Sequence, residues 1–125
     1  MSLPDYPEYD EVLKALFDGL APVVTFIDDD LPAEYIYVQR VGGREDGVFD
    51  NPVVDVEYVG PTRAASKALK KAGQERVRHC GNTAPGGFLI DVAEEVTGAM
   101  PMSPQQRDMR EFIATNRFSY RRPRA

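Results

Sequence analysis

Residues 33–72 read AEYIYVQRVGGREDGVFDNPVVDVEYVGPTRAASKALKKA, and the fold is decided there. Two runs rich in β-branched and aromatic side chains, 35–41 and 52–59, flank an insert holding Gly42, Gly43, Gly47 and the turn-forming Asp50-Asn51-Pro52. The pattern predicts a strand, a loop and a returning strand. Side chains alternate along a strand, so Tyr35, Tyr37, Gln39 and Val41 share one face and Ile36, Val38 and Arg40 the other. Both faces are mainly apolar with one polar interruption, which predicts a helix on one and a partner surface on the other. Gly60-Pro61-Thr62 then closes the second strand, since Pro61 has no N–H for a ladder and Thr62 offers a hydroxyl as a helix cap. Ala65, Ala68, Leu69, Ala72 and Val77 recur at helical spacing opposite Arg63, Lys67, Lys70, Lys71 and Arg78. Gly73 is about 1 kcal/mol worse than alanine inside a helix, so this helix is expected to end there or to run on weakly to Arg78.

Upstream, residues 1–6 read as a flexible arm with Asp5 as a cap. Val12, Leu13, Leu16, Phe17 and Leu20 then predict an amphipathic helix of about three turns, stopped by Gly19 and Pro22. Residues 23–27 form a short apolar run expected to be a strand. The acidic turn Asp28, Asp29 and Asp30 follows it. The ten-residue insert 42–51 is long for a hairpin and predicts a projecting flap over 43–51, with Val48 and Phe49 either docked on a neighbour or folded back.

Downstream, residues 81–87 are loop and 88–96 alternate as a strand, with a turn at 98–101 and an irregular linker after it. Residues 109–122 predict a long strand with Phe112, Ala114, Phe118 and Tyr120 on one face, forming an antiparallel hairpin with the strand before it. A basic tail, 121–125, carries Arg121, Arg122 and Arg124. The expected architecture is α+β: a mostly antiparallel sheet of about five strands with two helices packed on one face, as one domain spanning 1–125.

Bulk composition is that of a soluble globular chain, 42% hydrophobic and 28% charged, long enough to bury roughly two-thirds of its unfolded surface. Charge is uneven along it. Residues 1–60 hold fourteen acids against three bases, and residues 61–125 six acids against twelve bases. Such a chain neutralises itself, or meets copies of itself head to tail around a ring.

Catalytic and metal-binding patterns are missing from the sequence. One Cys and one His make no zinc set, and Cys80 excludes an internal disulfide. His79 and Cys80 are consecutive and point apart, so they read as a helix end and a small buried thiol, not as a base and a nucleophile. Asp28, Asp29 and Asp30 lack the alternate spacing, the glycine and the distal Glu of a calcium loop. Gly42-Gly43 opens no helix and is no phosphate cradle. The expectation is a chain without cofactor, metal or enzymatic activity.

An apolar strand ending in Arg-Val-Gly-Gly, an acidic loop, the strand Asn-Pro-Val-Val-Asp-Val and a helix opening Pro-Thr-Arg-Ala-Ala follow one another between residues 38 and 69. In this order the chain resembles the tail terminator (tail completion, head-to-tail joining) proteins of long-tailed bacteriophages, over roughly residues 12–122. The resemblance implies a structural virion protein, made in the host cytoplasm and built into the head–tail junction. It implies a hexameric ring that caps the tail tube, ends its elongation and offers a docking surface to the head connector. Partners would be further copies of the chain, the major tail tube protein and a head-completion or stopper protein. DNA would pass through a channel without specific binding, and no membrane would be involved. On this reading Asp28, Asp29, Asp30, Glu45, Asp46 and Asp50 line the channel or join subunits, while Val48, Phe49, Arg121 and Arg122 contact a neighbour or the tube. An acidic lining suits DNA passage because it repels phosphates. The alternatives are another neck component, such as a stopper or adaptor, and a small non-viral α+β binding domain.

Overall fold

The computed structural model describes residues 6–45, 48–101 and 111–121, with backbone alone at 99–101 and 121. Its elements run α1 (Tyr9–Leu16), β1 (Val23–Val24), β2 (Tyr35–Glu45), β3 (Phe49–Val59), α2 (Arg63–Arg78), a 3-10 turn at Pro85–Gly87, β4 (Ile90–Pro101) and β5 (Glu111–Arg121). The five strands make one sheet in the order β1-β2-β3-β5-β4. β1 runs parallel to β2 and every other pair is antiparallel. The α+β architecture is as expected, and β5 lies between β3 and β4.

Alternation fixes which side of the sheet is covered. Ile36 and Val38 of β2, Val54, Val56 and Tyr58 of β3, and Ala114, Phe118 and Tyr120 of β5 share one face and are buried there. Val12, Leu13, Leu16 and Phe17 come down on it from α1 and its end, and Leu69 and Val77 from α2. Both helices therefore pack on the same face, and hydrophobic burial across this layer is the main term holding them.

Of the two expected ends for α2, the structure shows the farther one: the helix runs on past Gly73 to Arg78, unbroken. Its buried residues are Ser66, Leu69, Gly73 and Val77, so the core face is turned away from the alanines, and Ala68 is exposed. Gly73 explains the rotation: a Cβ there would collide with the Tyr58 ring, lying 2.7 Å from Cζ and 2.8 Å from the hydroxyl. Glycine admits the aromatic ring against the helix backbone, a benefit that outweighs its poor helix propensity. Thr62 caps the helix as expected, its Oγ1 accepting from the Ala65 N–H at 3.1 Å. Buried Ser66 donates its hydroxyl to the Thr62 carbonyl at 2.9 Å.

Element ends differ from the sequence reading in several places. α1 closes at Leu16 after two turns, with Phe17 as its C-cap and Gly19 at φ +83°. β1 is only two residues long, because the chain leaves the sheet with Phe26 and Ile27 in solvent. The insert between β2 and β3 is mostly strand: Gly43, Arg44 and Glu45 pair with Pro52, Asn51 and Asp50. What looked like a flap is the outer half of one long hairpin, entered through a bulge between Arg40 and Gly42. Pro52, lacking an N–H, falls where β3–β5 pairing is interrupted between Asp50↔Tyr120 and Val53↔Arg117. β4 starts at Ile90 and continues through the predicted turn at 98–101, its register shifting repeatedly against β5. The arm through residue 5, the linker at 102–110 and the tail from Arg122 onward lie outside the described residues, as do Asp46 and Gly47.

Candidate functional site

Among the described residues, Asp50 is the one predicted surface acid that the fold takes inside. It sits opposite Glu45 on the core-facing side of β3 and is 5% exposed. Arg40 meets it two-pronged, Nη1 to Oδ2 at 2.9 Å and Nη2 to Oδ1 at 2.8 Å. The Arg40 Nε donates to the Gly42 carbonyl at 3.1 Å and so spans the bulge. Its hydrogen bond to Asp50 holds the guanidinium pKa above the ordinary arginine value. Tyr120 packs beside the pair, and burial, followed by the Asp50 charge, raises its hydroxyl pKa. This ion pair ties the bulge at Arg40 to the outer end of the hairpin, and its burial sets Asp50 apart from the exposed acids.

The other predicted residues whose side chains are described are exposed, apart from half-buried Phe49. Glu45 and Val48 are exposed at the hairpin end, and Phe49 is half-buried. The register places Arg121 directly across from Phe49, so the start of the basic tail adjoins the hairpin of its own chain. Asp28, Asp29 and Asp30 are fully outside, with the Asp30 N–H donating to Asp28 Oδ1 at 2.9 Å in a local turn. Arg122 and Asp46 lie outside the described residues.

Two features escaped the sequence reading. The first is an acidic cluster on the face of the sheet away from the helices, where Tyr35, Tyr37, Val53, Asp55, Glu57, Glu111, Ile113 and Thr115 are all half-buried with no helix over them among the described residues. Glu57 sits between Tyr37 and Ile113 in the ladder, one row from Asp55 and diagonal to Glu111. Desolvation, then Glu111, then Asp55 raise its pKa above the ordinary carboxylate value, and Thr115 donates to Asp55 at 2.7 Å. Only the register reveals this cluster, since Glu111 lies far along the chain; the Asp-Val-Glu alternation at 55–57 was its one sequence signal.

That repulsion has a measurable sign. A carboxylate whose folded pKa is raised binds its proton more readily in the folded chain, so its charge opposes folding at neutral pH. Glu57→Gln is therefore expected to raise the melting temperature at pH 7. The gain should disappear near pH 3, below the unfolded glutamate pKa of about 4.3, where both states are protonated. Thermal melts of both proteins at the two pH values check it, and an unchanged or lowered melting temperature at pH 7 would contradict it.

The second feature is the placement of exposed apolar side chains. Phe26, Ile27, Val41 and Val48 lie along the β1/β2 edge and the hairpin end, whereas Leu89, Val92 and Val96 lie at the β4 edge. β1 pairs only with Ile36 and Tyr37, leaving the rest of β2 without a neighbour on that side among the described residues.

Between the two helices an open groove of about 700 Å³ is lined by Leu16, Leu20, Ala72 and Pro85. Arg76 crosses it, donating to the Leu16 and Asp18 carbonyls at 2.9 and 3.1 Å, and so satisfies the C-terminus of α1. At its end the exposed His79 ring lies 3.0 Å from Glu75. Buried Cys80 donates to the Val77 carbonyl at 3.3 Å, and burial pushes its thiol pKa up to about 11. The two side chains point apart, as expected. Among the described residues no three His, Cys, Asp or Glu side chains converge as a metal set, and no helix is long and apolar enough to cross a membrane.

A long hairpin held by an internal ion pair, two sheet edges with apolar side chains in solvent and an acidic uncovered face are the exposed features of the described residues. A family profile described as phage tail termination protein matches residues 5–125. No curated protein matches the chain significantly. With nearly its whole length matched, the chain belongs to the phage tail termination protein family.

Proposed function

We propose that the chain is the repeating subunit of a ring that caps the phage tail tube, ends its elongation and receives the head connector. The carrying observation is the distribution of exposed large apolar residues at the two opposite edges of one sheet. Two different sticky edges on one subunit make a heterologous contact, which closes into a ring when each step includes a rotation. The family resemblance makes that ring hexameric, with the tube protein on one side and a head-completion protein on the other.

Edge-to-edge joining turns one face of every sheet toward the axis. The helices occupy one face, and the other bears Asp55, Glu57 and Glu111. Placed inward, these carboxylates give DNA a wall that offers its phosphates no counter-charge and so lets it slide. Among the candidates for such a wall, they replace Asp50. The hairpin end carries exposed Val48 at one end of the sheet and is the natural contact to the tube or the connector.

The test is an aspartate pair at the β4 edge, Val92→Asp with Val96→Asp. Both side chains are exposed, so the isolated chain should change in stability by no more than about 0.5 kcal/mol each. Charged edges resist pairing, so rings should fail to form on tube ends, and phage carrying the variant should accumulate overlong tubes. Normal tube lengths in negative-stain images would overturn the reading.

A further inference from the structure

Resting on the ring reading, we infer that neighbouring subunits are joined by the acidic turn Asp28, Asp29 and Asp30 of one copy docking on the cationic flank of α2 of the next. The flank is formed by Arg63, Lys67, Lys70 and Lys71, which share one side of the helix. Two contacts fix where that side faces. Lys70 lies over the Phe112 ring of β5 at 4.9 Å, and Gln74 donates to Glu95 of β4 at 2.6 Å. The opposite flank faces α1 through Arg76. The cationic flank therefore borders the β4 edge of the molecule.

Arg63, Lys67 and Lys71 are exposed and form no ion pair among the described residues. The three acids are equally exposed and equally without a cation, and they lie at the other edge, in the segment that joins β1 to β2. The segment that carries the acids returns to the end of the sheet at which α2 begins. The acidic segment leads into Tyr35, which shares a cross-strand row with Val59 and Glu111, and α2 opens four residues beyond Val59. Opposite charge, opposite edges and a common end are what a heterologous contact in the plane of a ring requires. A second copy is thus the occupant that these features favour. The polarity of the sequence, acidic before residue 60 and basic after it, becomes the two halves of one joint.

Charge reversal tests it in both directions. One variant carries Asp29→Lys and Asp30→Lys, sparing the Asp28 turn; the other carries Arg63→Glu, Lys67→Glu and Lys71→Glu, sparing the Lys70 ring contact. Circular dichroism and melting should match the wild type for both. Each alone should assemble on purified tail-tube ends about tenfold less well or worse, because like charges then face each other at every joint. Mixed in equal amounts they should restore rings, alternating around an even-numbered circle. Single variants that assemble as well as the wild type, or a mixture of folded variants that stays unassembled, would overturn the inference and leave the ring reading standing. A wild-type chain that never forms rings on tube ends would remove the ring reading itself, and this joint with it.

Discussion

Gly73→Ala is expected to destabilise the folded chain by about 3 kcal/mol, although alanine is the better helix former by about 1 kcal/mol. The added methyl would enter the ring of Tyr58, a fully buried side chain. Phe17 meets that ring edge-on, with centroids 6.3 Å apart and planes at 80°, and blocks its retreat. Overpacking of this kind forces off-rotamer side chains or a lifted helix. Chemical denaturation should show a lower midpoint with an unchanged slope. The double change Gly73→Ala with Tyr58→Leu should be much less harmful than the sum of the single changes, because it removes the collision partner. A Gly73→Ala protein at least as stable as the wild type would mean that helix and sheet do not approach this closely.

Arg40→Ala is the second large effect, expected to lower stability by about 3 kcal/mol. It strands the Asp50 carboxylate where water barely reaches it, whereas the Arg40 side chain is about one-third exposed. Asp50→Ala should accordingly be milder, since the guanidinium can turn outward into solvent. Replacing both together, Arg40→Met with Asp50→Leu, should recover most of the loss, because an apolar pair needs no compensating charge. Urea denaturation of the four proteins decides it. Equal losses for the two alanine variants would show that the carboxylate is not the stranded partner.

Much of this fold was readable because a local pattern and a tertiary need coincided. The β-branched runs at 35–41 and 52–59 became the hearts of β2 and β3, Thr62 capped α2, and the Phe112, Ala114, Phe118, Tyr120 alternation marked the buried face of β5. The misreadings came where a partner far along the chain overrode the local signal. Gly73 reads as a helix weakness until Tyr58 arrives beneath it. Asp50 reads as loop acid until the guanidinium of Arg40, ten residues earlier and paired in register with Val54, reaches along the core face to meet it. Buried Asn116, between Ala114 and Phe118 on the core face of β5, carried no hydrophobic signal at all. Glu57 and Glu111 became neighbours only through the register of β3 with β5. The family likeness was legible in element order and the basic side of α2 in helical spacing, whereas the acidic face, and the sheet edge that the basic side borders, needed three dimensions.

The position of β5 has a consequence for synthesis. It follows every other strand in the chain yet fills the gap between β3 and β4, so a ribosome delivers an interior piece after both of its neighbours. Until residue 121 has emerged, β3 and β4 cannot be bridged, and the apolar rows of Val54 and Val56 stay open to stray pairing. A nascent or truncated copy that lacks β5 is thus unable to complete the sheet.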